Sequence, residues 1–268
     1  MAQMIRPLDT ARLAERYRNA QPFPSICIDH FLEPDFALEV ARAYPPSLQG
    51  VSRSFDAVNE RGKTQIEDRA KFPDPVKRLA DLCASQPFLD TLSSITGIPG
   101  LMWDPRFVGG GMHQTRAHGR LDVHVDFNRL YDNGWYRRAN LLLFLNETWR
   151  EEWGGRLELW DRDVRKCVHS FAPVLNRCVI FTTSEISFHG VTALTCPDDV
   201  VRRSFALYFY TKEAPTGADH RVHSTIFRAR PDEHLKRYLL MPAERAKLAV
   251  RDLRSQVSQL AKRALGRR

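Results

Sequence analysis

Between about Gly100 and Thr211 the chain is cut into short strand-like runs: RFVGGGMHQ, RLDVHVDF, ANLLLFLN, GRLELWD, CVHSFAP, RCVIFTT, HGVTAL and RRSFALYFYT. Turn signals such as Asp132-Asn133-Gly134 and Gly154-Gly155 separate many of them. Many short strands in succession cannot each bury a face alone, and they predict a β-sandwich or barrel. The flanks read differently. Residues 8–20 place Leu8, Ala11, Leu13, Ala14 and Tyr17 at helical spacing, and SICIDHF (25–31) alternates as a strand does. Pro34 to Tyr44 predicts a second helix, stopped by Pro45-Pro46, and 50–72 reads as polar and irregular. Residues 75–97 predict a third helix through Leu79, Leu82, Phe88, Leu89 and Leu92, and helical patterning returns over 216–268. The expectation is a mainly β protein with flanking helices: a helical support over 1–99, a β core over 100–213, and a helical basic tail over 214–268.

A chain of 268 residues suits one large domain with appendages. Its middle has no wholly apolar run longer than Leu141 to Leu145, far short of a membrane span. The polar N-terminus carries no secretory-type apolar segment. Five cysteines, an odd number without a CxxC pair, argue against a disulfide framework or structural zinc site and for a reducing compartment, hence a cytoplasmic location. The net charge of +8 is concentrated in the tail, where residues 242–268 alone carry +6. A general nucleic-acid-binding reading is therefore weak. Ala249, Leu253, Val257, Leu260 and Ala264 give the tail an amphipathic pattern with a basic face. That pattern suits docking on the body, or contact with an anionic surface, polyanion or partner.

The chemistry concentrates in LDVHVDF. In an extended chain, residues two apart share a face, so His124 and Asp126 can converge on one ion. His189 opens another strand 65 residues later. Two histidines and one carboxylate leave three coordination positions open, the arrangement of non-haem Fe(II) oxygenases. A bidentate 2-oxo acid would fill two of them and O2 the third. Thirteen residues beyond His189 stands Arg202-Arg203-Ser204. Strand alternation puts Arg202, Ser204, Ala206 and Tyr208 on one face and Arg203, Phe205 and Leu207 on the other. The planar fork of Arg202, with the Ser204 hydroxyl beside it, suits the distal carboxylate of 2-oxoglutarate.

The segment from about Gly109 to Thr211 resembles the 2-oxoglutarate/Fe(II) oxygenase superfamily, on its prolyl-hydroxylase-like branch. GGGMHQ, LDVHVDFN, RRANLLLFLNETW, EEWGGRLELWD, NRCVIF, SFHGV and RRSFALYFYT carry the likeness, and PFPSICIDHFLEPDFA resembles the lead-in segment of the same group. The resemblance implies a double-stranded β-helix (jelly-roll) core. It implies an Fe(II) site at His124, Asp126 and His189, and 2-oxoglutarate anchored by Arg202 with Ser204. Where prolyl hydroxylases commonly place co-substrate tyrosines, this chain is expected to place Gln114, which can hydrogen-bond a carboxylate, and Phe144, which can only pack. Asn140 could touch substrate or co-substrate, or serve structure alone; His113 and His118 read more readily as structural than as extra ligands.

These observations predict a 2-oxoglutarate-dependent dioxygenase using Fe(II) and O2, hydroxylating an unactivated C–H bond of a small-molecule, glycan or amino-acid-type substrate. The alternatives are a peptidyl, prolyl-type hydroxylase and a catalytically silent metal-binding jelly roll. A zinc hydrolase on the same ligands would leave Arg202 and Ser204 without an evident task.

Overall fold

The structure is a computed structural model that describes residues 4–47, 53–217, 221–236 and 238. Its contacts divide the chain into two units, Met1–Phe227 and Arg228–Arg268. The amphipathic pattern over Ala243 to Leu265 lies outside the described residues. In the second unit, Glu233 accepts hydrogen bonds from the Arg230 amide at 2.9 Å and from Lys236 Nζ at 3.0 Å.

The first unit joins the helical region and the strand region through one shared core. Helix α1 (Thr10–Asn19) starts where the Asp9 carboxylate accepts the Arg12 amide at 3.1 Å, and it buries Leu13, Ala14 and Tyr17. Strand β1 (Ser25–Ile28) follows, then α2 (Pro34–Ala43), which has its proline in the first turn, where a missing N–H costs nothing. The helix expected over 75–97 is two helices, α3 (Asp74–Ala84) and α4 (Gln86–Thr96). Pro87 belongs to the first turn of a new helix and cannot sit inside an old one, so the chain turns extended at Ser85. The stretch read as irregular, 50–72, contains a hairpin, β2 (Arg53–Asp56) and β3 (Glu60–Ile66), whose polar side chains masked its pairing in the sequence.

The remaining strands are β4 (Met102–Trp103), β5 (Gly111–Val125), β6 (Tyr136–Phe144), β7 (Leu157–Trp160), β8 (Cys167–Phe171), β9 (Cys178–Thr182), β10 (His189–Val191), β11 (Arg202–Thr211) and β12 (Ile226–Arg228). Most run antiparallel in the order β1-β9-β6-β11-β5-β10-β7-β8, with β3 added on β5 and β4 on β11. This is the curled, mainly antiparallel sheet of a jelly roll. The two runs GGGMHQ and LDVHVDF form one strand, β5. His118, at φ 61°, marks its bend, and the register to β3 jumps there: Lys63 faces Thr115 whereas Arg61 faces Arg120. One half of β5 therefore pairs with β11 and the other with β10.

Alternation sorts side chains between two sides of the sheet. On β6 and β11, Ala139, Leu141, Leu143, Phe205, Leu207 and Phe209 join the helices in the main core, with Tyr17, Val40, Leu79 and Leu92. On the other side, Phe144 packs with Leu157, Leu159, Val179 and Phe181. That second side is the interior in which the polar side chains of the next section meet.

Candidate metal centre

His124 stands at the end of β5, Asp126 follows directly after the strand, and His189 opens β10 directly opposite His124. The structure brings the three together, with one ligand atom from each lying within 4.8 Å of the others. His124 Nε2 is 3.6 Å from Asp126 Oδ1, and His189 Nε2 is 3.5 Å from Asp126 Oδ2. The opposite nitrogen of each ring is already engaged: His124 Nδ1 lies 2.8 Å from the Asp122 carbonyl and His189 Nδ1 lies 2.9 Å from that of Ser187. A carbonyl only accepts, so each Nδ1 carries the proton and each Nε2 presents a lone pair toward the shared centre. Burial, with His124 adjacent, pushes the His189 ring down to about 3, so it stays neutral as a ligand must.

Asp126 is held from behind. Asn140 Nδ2 donates to Asp126 Oδ2 at 2.7 Å, and Arg137 Nη2 forms an ion pair with the same oxygen at 3.0 Å. Arg137 Nε in turn donates to Asn140 Oδ1 at 3.0 Å. Burial alone would raise the carboxyl's pKa; Arg137 and the two histidines overcome it and hold Asp126 well below the usual carboxylate range. Arg137 is itself buried and lies 3.4 Å from the centroid of the Tyr208 ring. Tyr208 Oη donates to the Gly109 carbonyl at 2.9 Å, fixing that ring.

These groups face a cavity of about 410 Å³ that also takes in Arg202 and Ser204. Arg202 is 3% exposed; its Nε donates to the Gly155 carbonyl at 2.7 Å, and its Nη1 lies 3.5 Å from Ser204 Oγ. Its Nη2 is buried with no hydrogen-bond partner. Desolvation brings the guanidinium down to about 10, because no carboxylate offsets the burial. A buried, uncompensated cation a short way from three metal-type ligands is the complement of an anion that reaches from the metal to the arginine. Donor set and orphaned guanidinium together fit a metal with a dicarboxylate co-ligand. Arg203 lies outside that cavity; its amide donates to Asn146 Oδ1 at 2.7 Å.

Gln114 requires a correction. It faces Arg203 across β5 and β11, on the same side as Met112 of the main core, and its Nε2 donates to the Pro45 carbonyl at 2.7 Å. The residues of β5 that face the cavity are His113 and Thr115, opposite Ser204 and Arg202. The expectation for Gln114 was one residue out of phase, and the alternation already applied to Arg202 and Arg203 would have exposed this once the two strands were paired. Phe144 packs as anticipated, 4.9 Å beneath the Arg202 guanidinium. Arg137, Lys63 and Gln65 were not anticipated as lining residues. Arg137 stands just before the run ANLLLFLN, with nothing local to single it out, and the other two fall in the stretch taken as irregular. Phe227, whose ring lies 5.4 Å from that of His124, gave no sequence signal.

Residues 110–210 match a family described as the 2OG-Fe(II) oxygenase superfamily. A prolyl 3-hydroxylase of Mus musculus is 33% identical over 78 residues, which is 28% of this chain and only 14% of that relative. Among solved structures, a Pseudomonas putida prolyl-4-hydroxylase superposes with a TM-score of 0.52 at 19% identity, covering 76% of this chain and 100% of the other. A Trichoplax adhaerens prolyl hydroxylase, in complex with a hypoxia inducible factor oxygen degradation domain peptide, superposes with a TM-score of 0.54 at 19% identity, covering 75% and 90%. At such identities the two structures establish the fold.

Proposed function

From the premise that residues 110–210 carry a 2OG-Fe(II) oxygenase fold and sequence signature, we propose that this chain is an Fe(II)- and 2-oxoglutarate-dependent hydroxylase. The observation that carries the reading is the pairing, within one cavity, of the His124–Asp126–His189 cluster with a buried Arg202 that lacks an anionic partner. His124, Asp126 and His189 would hold the iron, and Arg202 with Ser204 the distal carboxylate of 2-oxoglutarate. When bound, iron with 2-oxoglutarate and O2 supplies the oxidising power that converts a C–H bond to C–OH, with succinate and CO2 as by-products. The protein's share is positional. The Nδ1 contacts orient the two imidazoles. Arg137 and Asn140 keep Asp126 ionised and aimed. Phe144 and Leu157 keep the arginine's surroundings dry.

The substrate is a C–H donor presented at the mouth of this cavity. A peptidyl, prolyl-type substrate is supported by the activities named for the similar proteins. A small-molecule or glycan substrate is supported by the mixed lining, in which Phe55, Phe127 and Phe227 alternate with Glu60 and Lys63. Such a wall offers flat apolar faces and both signs of charge to a compact polar molecule. The deciding experiment measures 2-oxoglutarate binding to the Fe(II)-loaded protein without oxygen, then succinate release on aeration with prolyl peptides or a metabolite extract. Binding plus substrate-stimulated succinate supports the reading; absence of any 2-oxoglutarate binding overturns it.

A further inference from the structure

The two loops that flank the metal ligands are fastened to a third segment. Beyond β11 the chain returns over residues 221–227, and Ile226 and Phe227, which end the first unit, begin β12, a strand paired with β5. Along this return His223, Thr225 and Phe227 are half-buried, while Val222, Ser224 and Ile226 between them are exposed. Such alternation marks an extended strap with one face on the body. Thr225 and Phe227 on that face line the metal cavity.

The fastenings lie beside the ligands. Asn128, two residues after Asp126, grips the strap with both ends of its amide: Nδ2 donates to the Arg221 carbonyl at 2.8 Å, and Oδ1 accepts the His223 amide at 3.1 Å. Glu185, four residues before His189, holds its two carboxylate oxygens 2.9 and 2.8 Å from His223 Nε2. Asn128, Glu185 and His223 do not line the cavity themselves. Their shared effect is to fix where Thr225 and Phe227 go. The Phe227 ring comes to 5.4 Å from that of His124, which is 4.2 Å from that of His189. A phenylalanine side chain has no polar atom, so it can neither ligate a metal nor hydrogen-bond a co-substrate. What its face offers, beside a ligand and on the cavity wall, is apolar packing against the group brought up to the metal.

We propose that Phe227 is a specificity-determining residue: its ring, held over the metal centre by the strap that His223 latches to Asn128 and Glu185, is the surface on which the C–H-bearing part of the substrate packs. This rests on the oxygenase reading above. The part so selected is apolar, an aliphatic ring or chain, whatever polar groups the rest of the substrate carries. A reacting group displaced by about 1 Å can lose on the order of a hundredfold in rate, so loss of the ring uncouples the reaction: 2-oxoglutarate is consumed and succinate released without a matching hydroxylated product.

The test supplies Fe(II)-loaded enzyme with 2-oxoglutarate, isotopically labelled O2 and two substrate pools, prolyl peptides and a metabolite extract, and compares labelled product with succinate. Phe227→Ala should lower product per succinate about tenfold or more, with metal and 2-oxoglutarate affinities at wild-type values. Phe227→Leu, which keeps an apolar body, should recover part of the loss, and Phe227→Trp should change which compounds are labelled. His223→Ala should show a milder uncoupling together with faster hydrogen exchange at the amides of 223–227. An unchanged ratio and product pattern in Phe227→Ala overturns the assignment. So does a weakened metal in both the Ala and the Leu variants, which would make the ring a brace for His124. The exchange arm needs no substrate: strap amides that exchange as fast in the wild type as in His223→Ala overturn the latch, and the proposal with it. Failure of the wild-type protein to bind 2-oxoglutarate would instead overturn the oxygenase reading.

Discussion

At the scale of single residues, Arg202 and Arg203 form a natural control pair: adjacent in sequence, they lie on opposite faces of β11, and only Arg202 lines the cavity. Stranding one partner of a buried charge pair costs about 3–5 kcal/mol, or roughly a hundredfold or more in affinity. Arg202→Ala should therefore raise the KM for 2-oxoglutarate by that order while metal binding persists, and Arg203→Ala should change it little. Steady-state titration of 2-oxoglutarate measures both, and the reverse order would move the anchor to Arg203. Around the metal, Asp126→Ala should abolish hydroxylation by removing the anionic ligand. Asn140→Ala is subtler: it removes the 2.7 Å donor that orients Asp126 Oδ2. Losses of this kind typically cost about 10–100-fold in metal affinity or activity. Competition with a chelator would measure the change; an unshifted metal affinity would leave Asn140 a purely structural role.

At the scale of elements, β5 does most to shape the site, because one bent strand supplies both His113 on its first half and His124 on its second. The start of that strand is crowded. Gly111 has φ +86°, and a Cβ there would run into the Ile66 carbonyl of β3. Gly111→Ala combines a strained φ with that collision, so it should destabilise by more than about 1 kcal/mol and loosen the hairpin's hold on β5. Urea unfolding reads the stability. Hydrogen exchange at Thr64 to Ile66 reads the hairpin. Unchanged protection there would show that β3 does not depend on this close approach.

At the scale of the whole unit Met1–Phe227, the N-terminal helices and the strand region share one core. Phe205 of β11 is fully buried and meets Phe72 at 5.9 Å and Phe107 at 6.1 Å between ring centroids. Its backbone carries the site on one face while its ring belongs to the helical side. Phe205→Ala should cost about 3–5 kcal/mol, and fluorescence and circular dichroism should report that loss in one shared transition. Separate transitions would mean that helices and sheet unfold as independent layers. Among the described residues, no helix is long and apolar enough to cross a membrane, and no disulfide joins the five cysteines.

The periodicities of two and 3.6 are local, and they were enough to expose the strand succession, the flanking helices, and the sharing of one face by His124 with Asp126 and by Arg202 with Ser204. Local spacing cannot say which strand lies beside which, because pairing depends on closing long loops over distant residues. That is why the Gln114 expectation slipped by one residue: its inward-facing neighbours became evident only when β5 was set against β11, with Ser204 opposite His113. It is also why the hairpin at 53–66 escaped notice. Its strands are polar, and they are strands because β5 offers them an edge. Arg137 shows the same limit at the site. Nothing in WYRRAN distinguishes it from Arg138, yet the fold buries Arg137 against Asp126 and leaves Arg138 half-buried beside Thr211. The residues able to hold a metal were determined by sequence; the partners that orient them, keep them ionised and enclose the co-substrate were decided by tertiary packing, because those contacts join residues far apart along the chain.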